Sequence, residues 1–241
     1  MTSPRSQLDF RQFEILTFDC YGTLIDWEQG ILDAVSKALA AHSHSHQVSS
    51  KDVLSIYSEL EPEAQGGLYK SYREILQLVM RGLGKRLGVI FSEEEERSLA
   101  ESLPTWKPFP DTVAALKQLK ARYKLGIISN IDDDLFAHTA QHLQVIFDHV
   151  VTAQQVGSYK PSLHNFEEAL KKIGLPRKKV LHAAESVYHD IIPANKLGIA
   201  SVWVNRRINK EGSGATQSAA GKPDLTVPDL KTLAEMAAKL L

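Results

Sequence analysis

Four short segments hold the side chains of this 241-residue chain that are best suited to chemistry. They are Asp19-Cys20-Tyr21-Gly22-Thr23, Ser129-Asn130, Lys160-Pro161, and Glu185-Ser186 with His189-Asp190. An aspartate can attack carbon or phosphorus as a nucleophile, and several carboxylates together can hold a hard cation. Ser129 and Asn130 offer a hydroxyl and an amide as hydrogen-bond donors, and they serve equally well as a helix cap. Lys160 brings a cation, while His189 and Asp190 are groups that could take a proton from water. Gly22 permits a tight turn behind Asp19.

For these groups to meet, the elements before them must end on one side of a sheet. Apolar runs of strand length cover residues 13–18, 125–128, 149–151, 180–184 and 199–204, and a last short one covers 224–227. Amphipathic stretches at 111–122, 134–142 and 162–173 fall between the later runs. Alternating strand and helix signals predict an α/β fold with a doubly wound parallel sheet, whose ligands gather beyond the carboxyl ends of the strands.

About a hundred residues separate the first run from the second, and they read as helical, with segments at 30–41, 50–60, 68–87 and 92–102. Ser49 or Ser50 and Ser92 are suited to N-caps. An inserted helical cap over 28–106 is expected, with a Rossmann-like core formed by 1–27 plus 107–241. Residues 206–222, rich in Gly, Ser, Ala and Lys, are expected to form a mobile loop. The alternating His42, His44 and His46 read as a solvated loop, and Glu93 to Glu96 as an exposed first helical turn.

Lys plus Arg number 28 against 29 Asp plus Glu, which argues against a nucleic-acid partner. Cys20 is the single cysteine, so no intramolecular disulfide can form. No signal-peptide pattern lies in residues 1–12 and no long apolar run appears, so a cytoplasmic enzyme with no membrane contact is expected. The expected partner is a small-molecule substrate, and a homodimer is admitted as the assembly.

Phe18-Asp19-Cys20-Tyr21-Gly22-Thr23-Leu24 resembles the nucleophile loop of the haloacid dehalogenase superfamily, and the other three segments match its later motifs in order. Among its branches the chain is most similar to the type II (L-)2-haloacid dehalogenases, because Tyr21 stands where the phosphatases carry a second aspartate. That aspartate protonates a departing alkoxide, whereas a halide leaves as a stable anion. The resemblance implies a hydrolase in which Asp19 attacks carbon to give an ester that water then cleaves, without a cofactor. Lys160 is then the lysine that salt-bridges Asp19 and lowers its pKa, and Asp190 the acid that orients or deprotonates water.

Substrate contacts are expected from Cys20 and Tyr21, through their backbone amides, from Ser129 and Asn130, and from Trp27, which has equal claims to the pocket and the core. Thr23, Glu185, Ser186 and His189 are accessory candidates. Two departures keep alternatives open. The dehalogenases bind the substrate carboxylate with a cap arginine, yet this chain reads Ile56-Tyr57-Ser58-Glu59-Leu60-Glu61 there. Either Lys70 or Arg73 turns inward, or the substrate is not a simple 2-haloacid. In addition, Glu185 and Asp190 have the spacing of two phosphatase metal ligands. With Asp19 they could hold Mg²⁺ in a phosphatase, unless Glu185 simply pairs with Lys160. A non-hydrolytic member that binds a small molecule is the third reading.

Overall fold

The structure, a computed structural model, describes residues 8–42, 48–208 and 214–239. Its framework is a six-stranded, wholly parallel sheet of β1 (Ile15–Phe18), β2 (Lys124–Ser129), β3 (His149–Thr152), β4 (Val180–Ala184), β5 (Ala200–Val204) and β6 (Leu225–Val227), in the order β3-β2-β1-β4-β5-β6. β1 has no exposed residue and takes a central place, while the edge strands β3 and β6 each carry partly exposed residues. Register aligns Phe18 with Ile127 on one side and with Ala183 on the other. The chain therefore leaves β1, β2 and β4 at one level, and the order reverses direction at β1, which is the switch point of such a sheet.

Both faces of the sheet are covered, as the uninterrupted apolar runs require. Alternate residues of β1 point to opposite sides: Ile15 joins a cluster with Phe166 and Ala169 of α8 (Leu163–Ile173) and Ala194 of α9 (Ile192–Leu197). Leu16 and Phe18 join the larger cluster, which includes Leu116 and Leu119 of α5 (Thr112–Lys120) and Leu233 and Ala234 of α10 (Leu230–Ala238). This larger cluster runs on without a break into the helices inserted after β1.

Those helices are α1 (Trp27–Leu39), α2 (Ser50–Gln65), α3 (Tyr72–Arg86) and α4 (Glu93–Ser102). Ser49 caps α2, and Ser71 with Glu74 and Ser92 with Glu95 form capping boxes at α3 and α4. Two boundaries differ from the sequence reading. The second helix continues beyond residue 60, since the Lys70 ammonium takes up the carbonyls of Ala64 and Gly66 at its end, each at 3.1 Å. Glu61 thereby becomes a helical residue. The third helix starts at Tyr72 instead of residue 68, where the Asp132 carboxylate accepts from the N–H groups of Tyr72 (2.9 Å) and Arg73 (3.0 Å). An anion suits the positive end of that helix.

Two further helices are α6 (Asp133–Leu143) and α7 (Ala153–Val156). The stretch expected to be a mobile loop is anchored at both described ends. Arg206 donates to Asp111 at 2.7 Å and to the Thr23 carbonyl, Arg207 pairs with Glu28 at 2.6 Å, and Ala215 and Thr216 are buried. Arg206 and Arg207, both partly buried, tie the start of this stretch to distant carboxylates, and residues 209–213 lie outside the described residues. Of the three histidines read as a loop, His42 bonds Glu95 at 2.9 Å, and His44 and His46 lie outside the described residues. Among the described residues no helix is long and apolar enough to cross a membrane.

Candidate active site

Asp19 follows the last residue of β1 and is 7% exposed. Gly22, at φ +92°, turns the chain behind it, and a Cβ there would come within 2.8 Å of the Trp27 indole nitrogen. The turn brings Thr23 back toward the aspartate, so that Thr23 Oγ1 donates to Asp19 Oδ2 at 2.7 Å while accepting from the Glu185 N–H at 2.9 Å. The other oxygen, Oδ1, accepts from Lys160 Nζ at 2.8 Å. Both oxygens of the carboxylate are therefore oriented by donors from the core.

Lys160 is 1% exposed and is placed by Asn130. The Asn130 side chain accepts from the Lys160 N–H at 2.7 Å and donates to the Lys160 carbonyl at 3.0 Å. The Lys160–Pro161 peptide is cis. The ammonium then donates to three acceptors, Asp19 Oδ1, Asp190 Oδ1 at 2.7 Å and the Ile128 carbonyl at 2.9 Å. A primary ammonium has three donors, and all are used.

Asp190 has no exposure at all and sits in a π-helical turn, Val187–Ile191, between β4 and α9. Ser186 caps that turn, accepting from the His189 N–H at 3.0 Å. Besides Lys160, Asp190 Oδ1 is bonded by His182 Nε2 of β4 at 2.9 Å, and His182 Nδ1 is bonded in turn by Thr17 Oγ1 of β1 at 2.9 Å. Asp190 Oδ2 and His189 Nε2 are buried without a partner.

Burial raises the Asp19 pKa, and the pull of Lys160 offsets this only in part because Asp190 shares the same ammonium. Lys160 thus pulls the Asp19 pKa down as expected, but burial and the neighbouring Asp190 outweigh it and the net direction is upward. For Asp190 the same burial is outweighed by Lys160 and by the His182 hydrogen bond, so its pKa is lowered. Burial would pull the Lys160 ammonium down, but its two carboxylates more than compensate and its pKa is raised. His189 is pushed down to about 4 by burial and is neutral at neutral pH.

A small cavity of about 40 Å³ opens beside these groups. Asp19, Tyr21, Trp27, Ser129, Asn130, Lys160, Ser186, His189 and Asp190 all reach it. Tyr21 contributes its ring, its hydroxyl being bonded to Thr139 of α6 at 2.8 Å. Trp27 serves both roles proposed for it, since it also packs edge-on against Tyr57 of α2, 5.6 Å between centroids. Thr23 stands behind Asp19, outside the lining. The Cys20 side chain is fully buried away from the cavity, its thiol pushed well up by burial.

Glu185 is also elsewhere. Its carboxyl is not bonded to Lys160, which is fully occupied, and the residue lines a separate groove with Trp203 and Arg207. Burial, followed by the nearby Glu28, raises it to about 8. A Mg²⁺ ion held by Asp19, Glu185 and Asp190 does not fit this donor set. The Lys160 ammonium occupies the space between Asp19 and Asp190, and among the described residues no three His, Cys, Asp or Glu side chains are grouped to hold a metal. The cations expected to replace the cap arginine do not enter either. Lys70 caps α2, and Arg73 pairs with Asp134 at 2.6 Å on the surface.

Three further residues line the cavity: Tyr72 and Thr216, which the sequence did not single out, and Glu61, which it marked only as standing where the cap arginine was expected. Glu61 descends from α2 with 4% exposure, and its Oε1 accepts from Tyr72 at 2.7 Å and from Tyr57 at 3.4 Å. Burial raises its pKa to about 7. Position i,i+4 of Tyr57 and Glu61 was a signal for their contact. His182 was likewise missed, although a histidine within an apolar strand run is itself a signal.

A family model described as haloacid dehalogenase-like hydrolase matches residues 13–198. An (S)-2-haloacid dehalogenase of Pseudomonas fluorescens is 26% identical over 222 residues, covering 91% of this chain and 92% of its own. A glyceraldehyde 3-phosphate phosphatase of Methanothermobacter thermautotrophicus is 29% identical over 167 residues, 62% of this chain and 73% of its own. In fold, an L-2-haloacid dehalogenase from Xanthobacter autotrophicus, solved with chloropropionic acid covalently bound, superposes with a TM-score of 0.74 at 20% identity, covering 95% of this chain and 100% of that one.

Proposed function

For a chain that belongs to the haloacid dehalogenase-like hydrolases, and is therefore a hydrolytic enzyme, we propose hydrolytic dehalogenation through an ester on Asp19. The observation that carries this reading is the Lys160 ammonium bound between Asp19 and Asp190, with the aromatic Tyr21 beside them in place of an acid. Such a site has a fixed carboxylate and no proton donor at position 21 for an alkoxide. It suits a leaving group that departs as a stable anion.

In the first step an Asp19 oxygen attacks the halogen-bearing carbon. A C–O bond forms, the C–halogen bond breaks, and the halide leaves with the electron pair. Thr23 and Lys160 hold the carboxylate in one orientation, so the displacement starts from an aligned nucleophile. In the second step water adds to the carboxyl carbon of Asp19, and the product alcohol departs. Asp190 lines the cavity, and its Oδ2, buried without a partner, is the acceptor for the proton of that water. Lys160 and His182 keep Asp190 ionised for the task.

The test is a single turnover in ¹⁸O-labelled water with a panel of organohalides and phosphate esters, followed by mass spectrometry of the peptide that contains Asp19. Label in Asp19 together with free halide is expected. Phosphate release in its place, or halide release with label only in the product, would overturn the proposal.

A further inference from the structure

The charges around the cavity constrain what it admits. Asp19, Asp190 and Glu61 are acidic, and Lys160 is the cation among the lining residues. Its three protons are committed to Asp19, Asp190 and the Ile128 carbonyl. His189 is held neutral by burial. A substrate carboxylate entering here would meet carboxyl groups and no free cation, which is strongly unfavourable in a buried site.

Glu61 is built into its position. Tyr57 lies one turn earlier on the same helix, and Tyr72 is the first residue of α3, whose start is fixed by Asp132 of the core. Both hydroxyls converge on Oε1, and Tyr57 and Tyr72 are themselves 3.1 Å apart. Among the described residues no donor bonds to Oε2. The site thus presents a carboxyl group held through one oxygen, with the other unfilled, on a residue that lines the same small cavity as Asp19.

We propose that Glu61 selects a substrate bearing an N–H donor, a carboxamide, where 2-haloacids bear their carboxylate, and that it excludes the acid; this rests on Asp19 acting as the nucleophile. A carboxamide is neutral, its N–H groups can donate to Oε2, and its carbonyl keeps the adjacent halogenated carbon reactive toward displacement. The balance is that of the proposed function: 2-haloamide plus water gives 2-hydroxyamide, halide and a proton. The three aromatic rings of the lining, from Tyr21, Trp27 and Tyr72, add apolar walls that a neutral group tolerates and a bare anion does not.

The experiment measures halide release and ¹⁸O entry into Asp19 with 2-chloropropionamide and with 2-chloropropionate, at about pH 8.5, above the value of about 7 to which burial raises Glu61, so that its carboxyl is ionised. It uses the intact protein, Glu61→Gln and Glu61→Arg, with circular dichroism to verify folding. The unaltered enzyme is expected to favour the amide by about tenfold or more in kcat/KM, the scale of one hydrogen bond to a buried group. Glu61→Gln should shrink that ratio, and Glu61→Arg should invert it. Preference for the acid, or a ratio unmoved by Glu61→Gln, with label still entering Asp19, refutes the role of Glu61 and leaves the nucleophile intact. Absence of label and halide with both substrates overturns both. Should Glu61→Arg fail to fold, the near-isosteric Glu61→Gln decides.

Discussion

Replacing Lys160 by methionine keeps the volume of the side chain while deleting its charge, and so isolates what the ammonium does. At an effective dielectric of about 20, a pair of unit charges at the 2.8 Å and 2.7 Å seen here interacts by roughly 6 kcal/mol before desolvation is subtracted. Desolvating the ammonium cancels much of that, and removing one partner of a buried ion pair typically costs about 3–5 kcal/mol. The loss must depend on pH. With the cation gone, the folded-state pKa of Asp19 rises further above its unfolded value. Such a group is least harmful below the unfolded pKa, and stability falls by about 1.4 kcal/mol for each pH unit between the unfolded and folded values. Urea denaturation of Lys160→Met and the parent at about pH 5 and about pH 8 reads this directly. The gap between the two proteins is expected to be small at the lower pH and to approach the full figure at the higher one, with catalysis lost at both. An equal gap at both pH values would mean that packing, not charge, is what Lys160 contributes, and the reasoning would fail.

Two neighbouring positions test the supports of this centre. His182→Leu removes a charge-assisted hydrogen bond to Asp190, so stability near neutral pH should drop by about 1.5–3 kcal/mol. Because the folded pKa of Asp190 is lowered, that contribution exists above the unfolded pKa and vanishes as pH falls through the folded one; denaturation in acid should therefore show no difference, and a persistent gap would refute it. Asn130→Ala deletes both hydrogen bonds that fix the Lys160 backbone, which should cost about 1–3 kcal/mol in thermal unfolding and lower kcat more than it raises KM. Unchanged kcat would show that Lys160 finds its place without Asn130.

The route from residues to site was legible where local signals sufficed. The uninterrupted run at 180–184 is β4 to the residue, and the serines before α2 and α4 are the caps their composition suggested. Asp19 could be singled out because it follows a strand where a parallel sheet collects side chains, and Lys160 and Asp190 because their segments resemble the later family motifs. Where reading failed, distant partners had overruled the local pattern. Gly and Ser in 206–222 gave no sign of fixed partners, yet at the described start of that stretch Arg206 and Arg207 reach back to Asp111 and Glu28. Spacing offered Glu185 as a ligand, yet it lines a separate groove with Trp203 and Arg207 while its N–H stays with Thr23.

The sequence by itself therefore determined the sheet and singled out Asp19 and Lys160 as candidates, because strand periodicity and short motifs are local properties. Only tertiary structure decided that one ammonium serves two carboxylates from segments 141 and 30 residues away in the chain. It also decided that Glu61, not an arginine or Lys70, faces the cavity. That choice depends on α2 extending past Pro62 and on Asp132 fixing α3, contacts between segments that no periodicity within either could reveal.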